Sequence, residues 1–252
     1  EGIPLPSELT AIAKALTGHY REDHLFTLGQ ALQTYDFLQA QLCECDVQIQ
    51  RYMQRFQPRP DSQPLVTKPK KRSRRKNQPY FDLRAEQHRM LGVDLSRIDG
   101  IDALTAQTVI TEQGFDMSKF PTEKHFTSHL GLCPNNRITG GKIKRRRSRK
   151  VQSRAACALR VAAQSLHHSK SALGAFFRRM KARLGPAKAV TATARKLAVL
   201  IYRMLKHGQD YVDQGQELYE QRYRLQRERG LAKQAHSMGY KLIPLTAKGG
   251  VS

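Results

Sequence analysis

One short stretch of the sequence combines a hydroxyl group, two glycines and a dense run of cations. Thr139 is followed directly by Gly140 and Gly141. Glycines let a backbone approach a phosphodiester closely, and nearby cations can hold that phosphate and stabilise charge that develops during a transesterification. Thr139 is therefore a candidate nucleophile, although a lone Thr-Gly-Gly is more often an ordinary loop than a catalytic one.

The cations around Thr139 are candidate ligands for the phosphates of DNA. Lys and Arg side chains neutralise backbone phosphates, and glycines permit close contact with them. We therefore predict that Gly140 and Gly141 contact DNA together with these cations. The predicted contacts are Arg137, Lys142, Lys144, Arg145, Arg146, Arg147, Arg149, Lys150 and Arg154. Among them we expect Lys142, Arg145, Arg146 and Arg147 to act as the phosphate clamps.

The overall charge also favours a nucleic-acid partner. The chain has 44 Lys and Arg residues against 21 Asp and Glu residues, which gives a formal net charge of +23. A field of this sign attracts phosphate backbones over long distances. No apolar run approaches the ~20 residues that span a bilayer, so we expect no membrane partner and an intracellular location.

A second candidate DNA contact lies at Gly100. The residues Ile98–Asp102 have the outline of a helix-hairpin-helix turn, in which a glycine-containing loop directs backbone amides at a DNA phosphate. Asp102 stands where a second glycine is usual, and its carboxylate would repel a phosphate. DNA contact and simple packing between helices both remain open here.

The sequence gives little support for a metal site in this chain. The cysteines form no Cys-x-x-Cys pair and have no histidines at zinc-finger spacing, so we expect free thiols. His167 and His168 are adjacent, which directs their side chains about 100° apart on a helix, and no carboxylate accompanies them at ligand spacing. A surface or helix-end role is favoured for them over metal binding. The cysteines are Cys43, Cys45, Cys133 and Cys157.

These residues need elements that position them, and the first is a long helical arm. Apolar residues recur at steps of three and four from Leu25 to Phe56. This spacing predicts a helix with a coiled-coil stripe, roughly 50 Å long, which is too long to bury itself in a small domain. We expect a homo-oligomer formed through this arm. An ordinary two-helix hairpin with residues 12–16 is an equally open alternative.

The remaining pattern predicts an all-α protein. After Pro58 the chain is basic and almost without apolar residues, so it is expected to be a linker that gathers phosphates or acts only as a spacer. Apolar residues then return with helical spacing, and no alternating run is long enough to indicate a sheet. The predicted segments are a helical arm at 1–57, a basic disordered linker at 58–79, a compact helical domain at 80–208, and a C-terminal helix and tail at 209–252.

Several motifs of this chain resemble one family of mobile-element proteins. The sequence is similar to the insertion-sequence transposases of the 116/110/902 family, which are relatives of the pilin-gene invertases. The similar segments are residues 24–37, 98–101, 130–134, 140–142, 154–167 and 169–176.

The resemblance implies a function for the hydroxyl beside the glycines. Members of this family carry an essential serine just before the glycine pair, and the position of that serine corresponds to Thr139 here. They recombine DNA through a transient protein-DNA phosphodiester, and a structured RNA guides the choice of target and donor in members of the family. Threonine keeps the hydroxyl, but its methyl group stiffens χ1 and could misplace the attacking oxygen.

The family pattern also includes a domain that we do not find in this chain. Family members have an N-terminal RuvC-like domain whose four acidic residues bind divalent metal, and only about two dozen residues precede Leu25. We therefore expect this chain to be the C-terminal part of a transposase, without a cofactor of its own, with Mg²⁺ confined to the N-terminal domain. Alone it should bind nucleic acid without strand exchange. The alternative is a non-catalytic, nucleic-acid-binding remnant of a decayed element.

Overall fold

A computed structural model describes residues 7–15, 18, 21–59, 65, 78–149, 151–209 and 211–243. Most of the predicted basic linker, and Lys150, lie outside these residues. The helices are α1 (Ser7–Ala15), α2 (Glu22–Gln54), α3 (Leu83–Leu91), α4 (Ala103–Gln113), α5 (Glu123–His129), α6 (Arg154–Ser165), α7 (Ala172–Leu184), α8 (Pro186–His207) and α9 (Gln216–Ser237), with short 3₁₀ turns at Leu95–Arg97 and Leu166–His168. The strands are β1 (Pro134–Thr139) and β2 (Lys142–Ser148). The predicted all-α class is confirmed.

The chain forms two compact units. One consists of residues 1–52 and 79–81, and the other of residues 53–78 and 82–252. In the first unit, the backbone amide of Tyr80 donates a hydrogen bond to Asp46 at 2.9 Å, and the hydroxyl of Tyr80 donates one to Gln39 at 3.3 Å.

The long helix α2 confirms the helical periodicity of residues 25–56 almost to its end. Glu22 and Asp23 lie in its first turn, where negative charge is favourable beside the helix dipole. The apolar stripe predicted from the sequence is exposed: Leu28 is 65% accessible and Leu32 is 58% accessible. Among the described helices, none has both the length and the apolar character needed to cross a membrane.

The second unit contains the hydrophobic core, which is built around α8. This helix packs against α5, α6 and α7, while α4 packs on α6. Small side chains allow these helices to approach closely, and larger ones fill the layers between them. Fully buried core residues include Val109, Phe126, Ala155, Leu159, Ala163, Ala194, Leu197 and Ile201.

Side chains of the expected types begin several of these helices. Asp82, Asp102, Ser153 and Ser171 each accept a hydrogen bond from a backbone amide in the first turn of the following helix. Such caps satisfy amides that have no partner inside the helix. The caps at Ser153 and Ser171 define where α6 and α7 begin, and so fix the ends of the loops before them.

The described residues depart from a purely helical body at one place, the hairpin of β1 and β2. The two strands pair antiparallel, with Pro134 opposite Ser148 and Thr139 opposite Lys142. We expected no strand here because the cationic run shows no alternation of apolar and polar residues. The strands pair through their backbones, and this pairing does not require an apolar face.

Candidate nucleic-acid interface

Thr139 lies at the tip of the hairpin, where β1 turns into β2. The two residues of the turn, Gly140 and Gly141, have φ angles of 57° and 72°. A tight two-residue hairpin turn requires positive φ at both central positions, which glycine adopts without strain. A Cβ atom at either glycine would meet nothing within 4 Å. The backbone conformation therefore favours glycine here, and the space beside the turn is open.

The hairpin places Thr139 directly opposite Lys142. The two residues are Cα partners across the turn, and both side chains are exposed. Directly paired residues have their side chains on the same face of a hairpin, with Cβ atoms about 5 Å apart. An ammonium group and a hydroxyl are thus available together to one ligand at the tip.

A β-bulge interrupts the pairing just below the tip. Arg137 is the partner of Arg145, and Ile138 is the partner of Ile143, so Lys144 has no partner on β1. An extra residue of this kind bends the strand and increases its local twist. The bulge therefore separates the tip of the hairpin from the part of β2 that carries the consecutive arginines.

Close packing at Gly131 holds the base of the hairpin, at the point where the chain enters β1. Its φ is 65°, and a Cβ atom there would lie 2.8 Å from Cγ2 of Val151 and 3.1 Å from the carbonyl oxygen of Arg149. The amide of Leu132 donates to the carbonyl of Thr127 at 3.0 Å. The chain entering β1 and the chain leaving β2 are thus pressed together, which fixes the base of the hairpin on the body.

A carboxylate holds the chain segment that follows β2. Glu112 on α4 accepts a hydrogen bond from the amide of Ala155 at 2.7 Å, at the start of α6. Partial burial would raise the pKa of Glu112, but hydrogen bonds from Ser153, Ala155 and Arg154 outweigh it and lower the pKa. The carboxylate therefore stays charged at neutral pH and anchors the residues that follow the hairpin.

The structure brings most of the predicted DNA contacts into this one element. Gly140, Gly141 and Lys142 follow Thr139 around the tip, Lys144 is the exposed bulge residue, and Arg149 is exposed just beyond β2. Arg154 is the exposed first residue of α6, close in sequence to the end of β2. The remaining strand positions are Arg137 on β1 and Arg145, Arg146 and Arg147 on β2, whereas Lys150 lies outside the described residues.

The Lys and Arg residues in and after the hairpin belong to a long stretch of sequence that contains no acidic residue. No Asp or Glu occurs between Glu123 and Asp210, a stretch that includes the hairpin and α6, α7 and α8. This stretch therefore carries an excess of positive charge, and such a charge distribution attracts anions. A polyanion such as nucleic acid suits this distribution.

The turn at Gly100 has a structural explanation of its own. Its φ is 85°, and a Cβ atom there would lie 2.9 Å from the carbonyl oxygen of Ala162 on α6. Asp102 accepts a hydrogen bond from the amide of Thr105 at 2.9 Å and so caps α4. Close packing thus accounts for the glycine, and capping accounts for the carboxylate where a second glycine is usual. DNA contact at Gly100 stays a prediction.

Two residues that position the hairpin are absent from the sequence-based predictions. Glu112 and Gly131 act on partners whose proximity depends on the fold, and Glu112 lies 43 residues before Ala155. No local motif identifies either role. The glycine beside a short polar loop could have suggested a positive φ, but not its packing against Val151.

In the described part of the chain, no three His, Cys, Asp or Glu side chains are grouped so that they could hold a metal ion. The four cysteines are free thiols. His167 contacts both His168 and the ammonium group of Lys181, and within the described ranges no Asp or Glu joins these groups in a cluster that could hold a metal ion.

Part of the chain matches a known protein family. Residues 94–178 match the model of the family described as Transposase IS116/IS110/IS902 family. The matched segment runs from the residue before the first 3₁₀ turn, through the hairpin, into the middle of α7, and it confirms the resemblance found in the motifs. No curated protein matches the chain.

Proposed function

Because residues 94–178 match this transposase family, we propose that the chain is the DNA-binding and strand-transfer part of an insertion-sequence transposase in the bacterial cytoplasm. In this proposal the hairpin of β1 and β2 approaches the DNA phosphodiester that is broken. The observation that carries the proposal is the exposed hydroxyl of Thr139 at the hairpin tip, opposite Lys142 and above a run of arginines.

The arrangement is suited to transesterification. Oγ1 of Thr139 forms a bond to phosphorus, and the bond from phosphorus to the oxygen of the leaving strand breaks. The hydroxyl proton is transferred to that departing oxygen, which leaves a protein-DNA phosphodiester. Lys142 holds the phosphate oxygens while negative charge builds on them, and the open space beside Gly140 and Gly141 admits the phosphodiester.

DNA binding by the hairpin is tested by its dependence on salt. The triple variant Arg145→Gln, Arg146→Gln, Arg147→Gln should bind duplex DNA more weakly than the native chain. The plot of log affinity against log salt concentration should become shallower by about 2 to 3, because each lost phosphate contact removes about 0.9 from the slope. Fluorescence anisotropy with labelled DNA at several salt concentrations measures both quantities.

A matched control removes the same charge elsewhere. Arg227, Arg229 and Lys233 are exposed on α9, and their replacement by Gln also lowers the net charge by three. This variant should keep the native slope within about one unit. An unchanged slope in the hairpin variant, or an equal loss in both variants, would place the DNA contact elsewhere.

The role of Thr139 is tested by trapping the covalent adduct. The assay supplies the acidic domain of a family member and its divalent metal ion, which the family resemblance implies for catalysis. Thr139→Ser should give more protein-DNA adduct than the native residue, since serine lacks the stiffening methyl group, and Thr139→Val should give none. Equal or lower yield from the serine variant argues against a nucleophilic role.

The same assay separates the second candidate function, non-catalytic binding by a remnant of a mobile element. The threonine in the place of the family's serine favours that alternative. Normal DNA affinity without adduct from either the native chain or Thr139→Ser would support it. Repeating the titration with structured RNA tests the guide RNA that the family resemblance implies as a partner.

We also propose that α2 pairs with a second copy of the chain. Its apolar stripe is exposed over several turns, which is unfavourable for a helix that stays single in water. Leu32→Glu with Leu38→Glu should shift the mass measured by light scattering from dimer to monomer. The control Gln33→Glu with Gln48→Glu adds the same charge at exposed polar positions and should remain dimeric. A native chain that is monomeric at every concentration contradicts the pairing.

A further inference from the structure

The turn between α6 and α7 assembles three nitrogen-containing side chains. Nδ1 of His167 lies 3.1 Å from Nε2 of His168, and Nε2 of His167 lies 3.1 Å from Nζ of Lys181. His168 and Lys181 are exposed, and His167 is partly exposed. The three groups therefore form one continuous surface cluster, and none of the transposase chemistry proposed above uses it.

The backbone that presents the histidines is held in place. The guanidinium of Arg178 donates to the carbonyl of His167 at 3.1 Å and to the carbonyl of Ser169 at 2.7 Å. A Cβ atom at Gly174 would lie only 2.2 Å from the carbonyl oxygen of Ser169, so the turn packs directly on α7. A ligand of this cluster would thus meet a preformed arrangement, which lowers the ordering cost of binding.

The hydrogen-bond pattern gives the cluster more donor groups than acceptor groups. The ammonium of Lys181 can only donate, so Nε2 of His167 accepts and its Nδ1 donates to His168. The pKa of His167 is lowered chiefly by the charge of Lys181, and further by partial burial, His168 and Arg178. An anion would reverse this situation, because Lys181 and a protonated His167 could both donate to its oxygens.

We propose that His167, His168 and Lys181 form a second phosphate-binding site, separate from the hairpin, for the backbone of a nucleic acid. Two carboxylates from outside this stretch lie near the start of α7: Asp99 is hydrogen-bonded to Ser171, and Asp213 accepts from the amide of Ala172 at 3.2 Å. The charges that shift the pKa of His167 are instead those of Lys181, His168 and Arg178, all positive or neutral. The inference rests on the proposed nucleic-acid function and adds a contact that depends on pH. The same phosphate chemistry is offered by DNA and by RNA, and the experiment distinguishes them.

The direction of the pH dependence follows from the charge change. A bound phosphate raises the pKa of His167, so the complex takes up a proton that the free protein lacks. Affinity must then increase as pH falls through the range in which His167 titrates. Phosphate contacts made by arginine add no such dependence, because a guanidinium is not deprotonated in proteins.

The test measures affinity at about pH 8 and about pH 6 at one salt concentration, with duplex DNA and with a structured RNA of equal length. The native chain should bind its ligand about fivefold more tightly at the lower pH. The variant His167→Gln with His168→Gln should lose most of this difference. His236→Gln, at an exposed position on α9, is the matched control and should keep it.

A second variant tests the site independently, in case the double histidine variant does not fold. Lys181→Gln should weaken binding at both pH values, and its thermal unfolding should match that of the native chain. Loss of the pH effect with only DNA or only RNA identifies the source of the phosphate. A native pH dependence that persists in the double histidine variant, or a native affinity independent of pH, overturns the proposal. Absence of nucleic-acid binding by the native chain would instead reject the function on which it rests.

Discussion

The carboxylate of Glu112 accepts a hydrogen bond from the backbone amide of Ala155 at 2.7 Å and so ties the last turn of α4 to the first turn of α6. Ala155 lies seven residues after the end of β2, so this bond fixes where the chain returns from the hairpin to the body. Gly131 fixes the point where the chain leaves. The orientation of the cationic hairpin is therefore set by residues outside its two strands that carry no positive charge.

Replacement of Glu112 should destabilise the protein. Glu112→Ala removes the acceptor for the amides at the start of α6, and loss of such a cap costs about 1 to 2 kcal/mol. Glu112→Gln keeps an oxygen acceptor and should cost less. Urea unfolding measures the free energy. Glu228→Ala, at an exposed position on α9, is the control and should change the free energy by no more than ~0.5 kcal/mol.

The contribution of Glu112 should also depend on pH. Its folded-state pKa is lowered, so the stabilisation is fully present above the ordinary pKa of a glutamate and is lost as pH falls through the lowered value. The difference in Tm between the native chain and Glu112→Gln should thus shrink in acid. A difference that grows in acid would contradict the assigned hydrogen bonds.

Alanine should be tolerated much less at Gly131 than at Gly141. Both residues have positive φ, which costs alanine about 1 to 2 kcal/mol. At Gly131 the added methyl also overlaps Val151, which should raise the loss to about 2 to 4 kcal/mol, whereas the space beside Gly141 is open. Chemical unfolding of the two variants compares them. Equal losses of unfolding free energy in the two variants would mean that packing at the base of the hairpin adds nothing to stability.

Asparagine at the hairpin tip separates the structural role of the glycines from their functional role. Gly140→Asn creates Asn-Gly, the preferred sequence for this type of turn, so the stability should stay within ~0.5 kcal/mol of the native value. The new side chain occupies space that the proposed phosphodiester needs, so the yield of DNA adduct should fall about tenfold or more. If the variant gave the full yield of adduct with unchanged stability, the role of Gly140 would be only to form the turn.

Asp99 should destabilise the native chain at neutral pH. Its pKa is raised by burial and by the nearby charge of Asp213, with a hydrogen bond from Ser171 acting in the opposite direction. The folded state thus favours the protonated carboxyl, and stability falls as pH rises from the ordinary aspartate pKa through the raised one. Asp99→Asn should raise Tm at about pH 7 and have little effect at about pH 3.

Asp116 provides a control of opposite sign for that experiment. Its pKa is lowered because the backbone amide and the hydroxyl of Ser118 both donate to it at 2.8 Å. Asp116→Asn should therefore lower Tm at neutral pH rather than raise it. A rise in Tm for both variants would indicate a general effect of reduced negative charge instead of the local interactions of each carboxylate.

The helical elements could be predicted because their signals are local. The apolar spacing of α2 and the capping residues Ser153 and Ser171 are all evident within a few residues of the helices they define. The strand character of residues 134–148 could not be predicted in the same way. Cationic side chains give no alternating pattern, and the pairing depends on the backbone and on the turn at Gly140 and Gly141.

The candidate site was predictable in its residue types and not in its geometry. The sequence places Thr139 beside two glycines and many cations, but only the register makes Lys142 its direct partner. Likewise, the adjacent histidines suggest a metal or a surface role, and only the fold adds Lys181 from the next helix. Contacts of this kind join residues through the path of the chain, which local patterns do not encode.

The bulge at Lys144 gives β2 one more residue than β1 between the base of the hairpin and its tip. An extra residue on one strand bends that strand and increases the local twist, while the pairing on either side of it is kept. Deletion of Lys144 would therefore leave Thr139 paired with Lys142 but remove the bend between that pair and the base of the hairpin, which Gly131 and Ala155 hold on the body. The direction in which the tip of the hairpin points thus depends on a residue that has no partner across the strand.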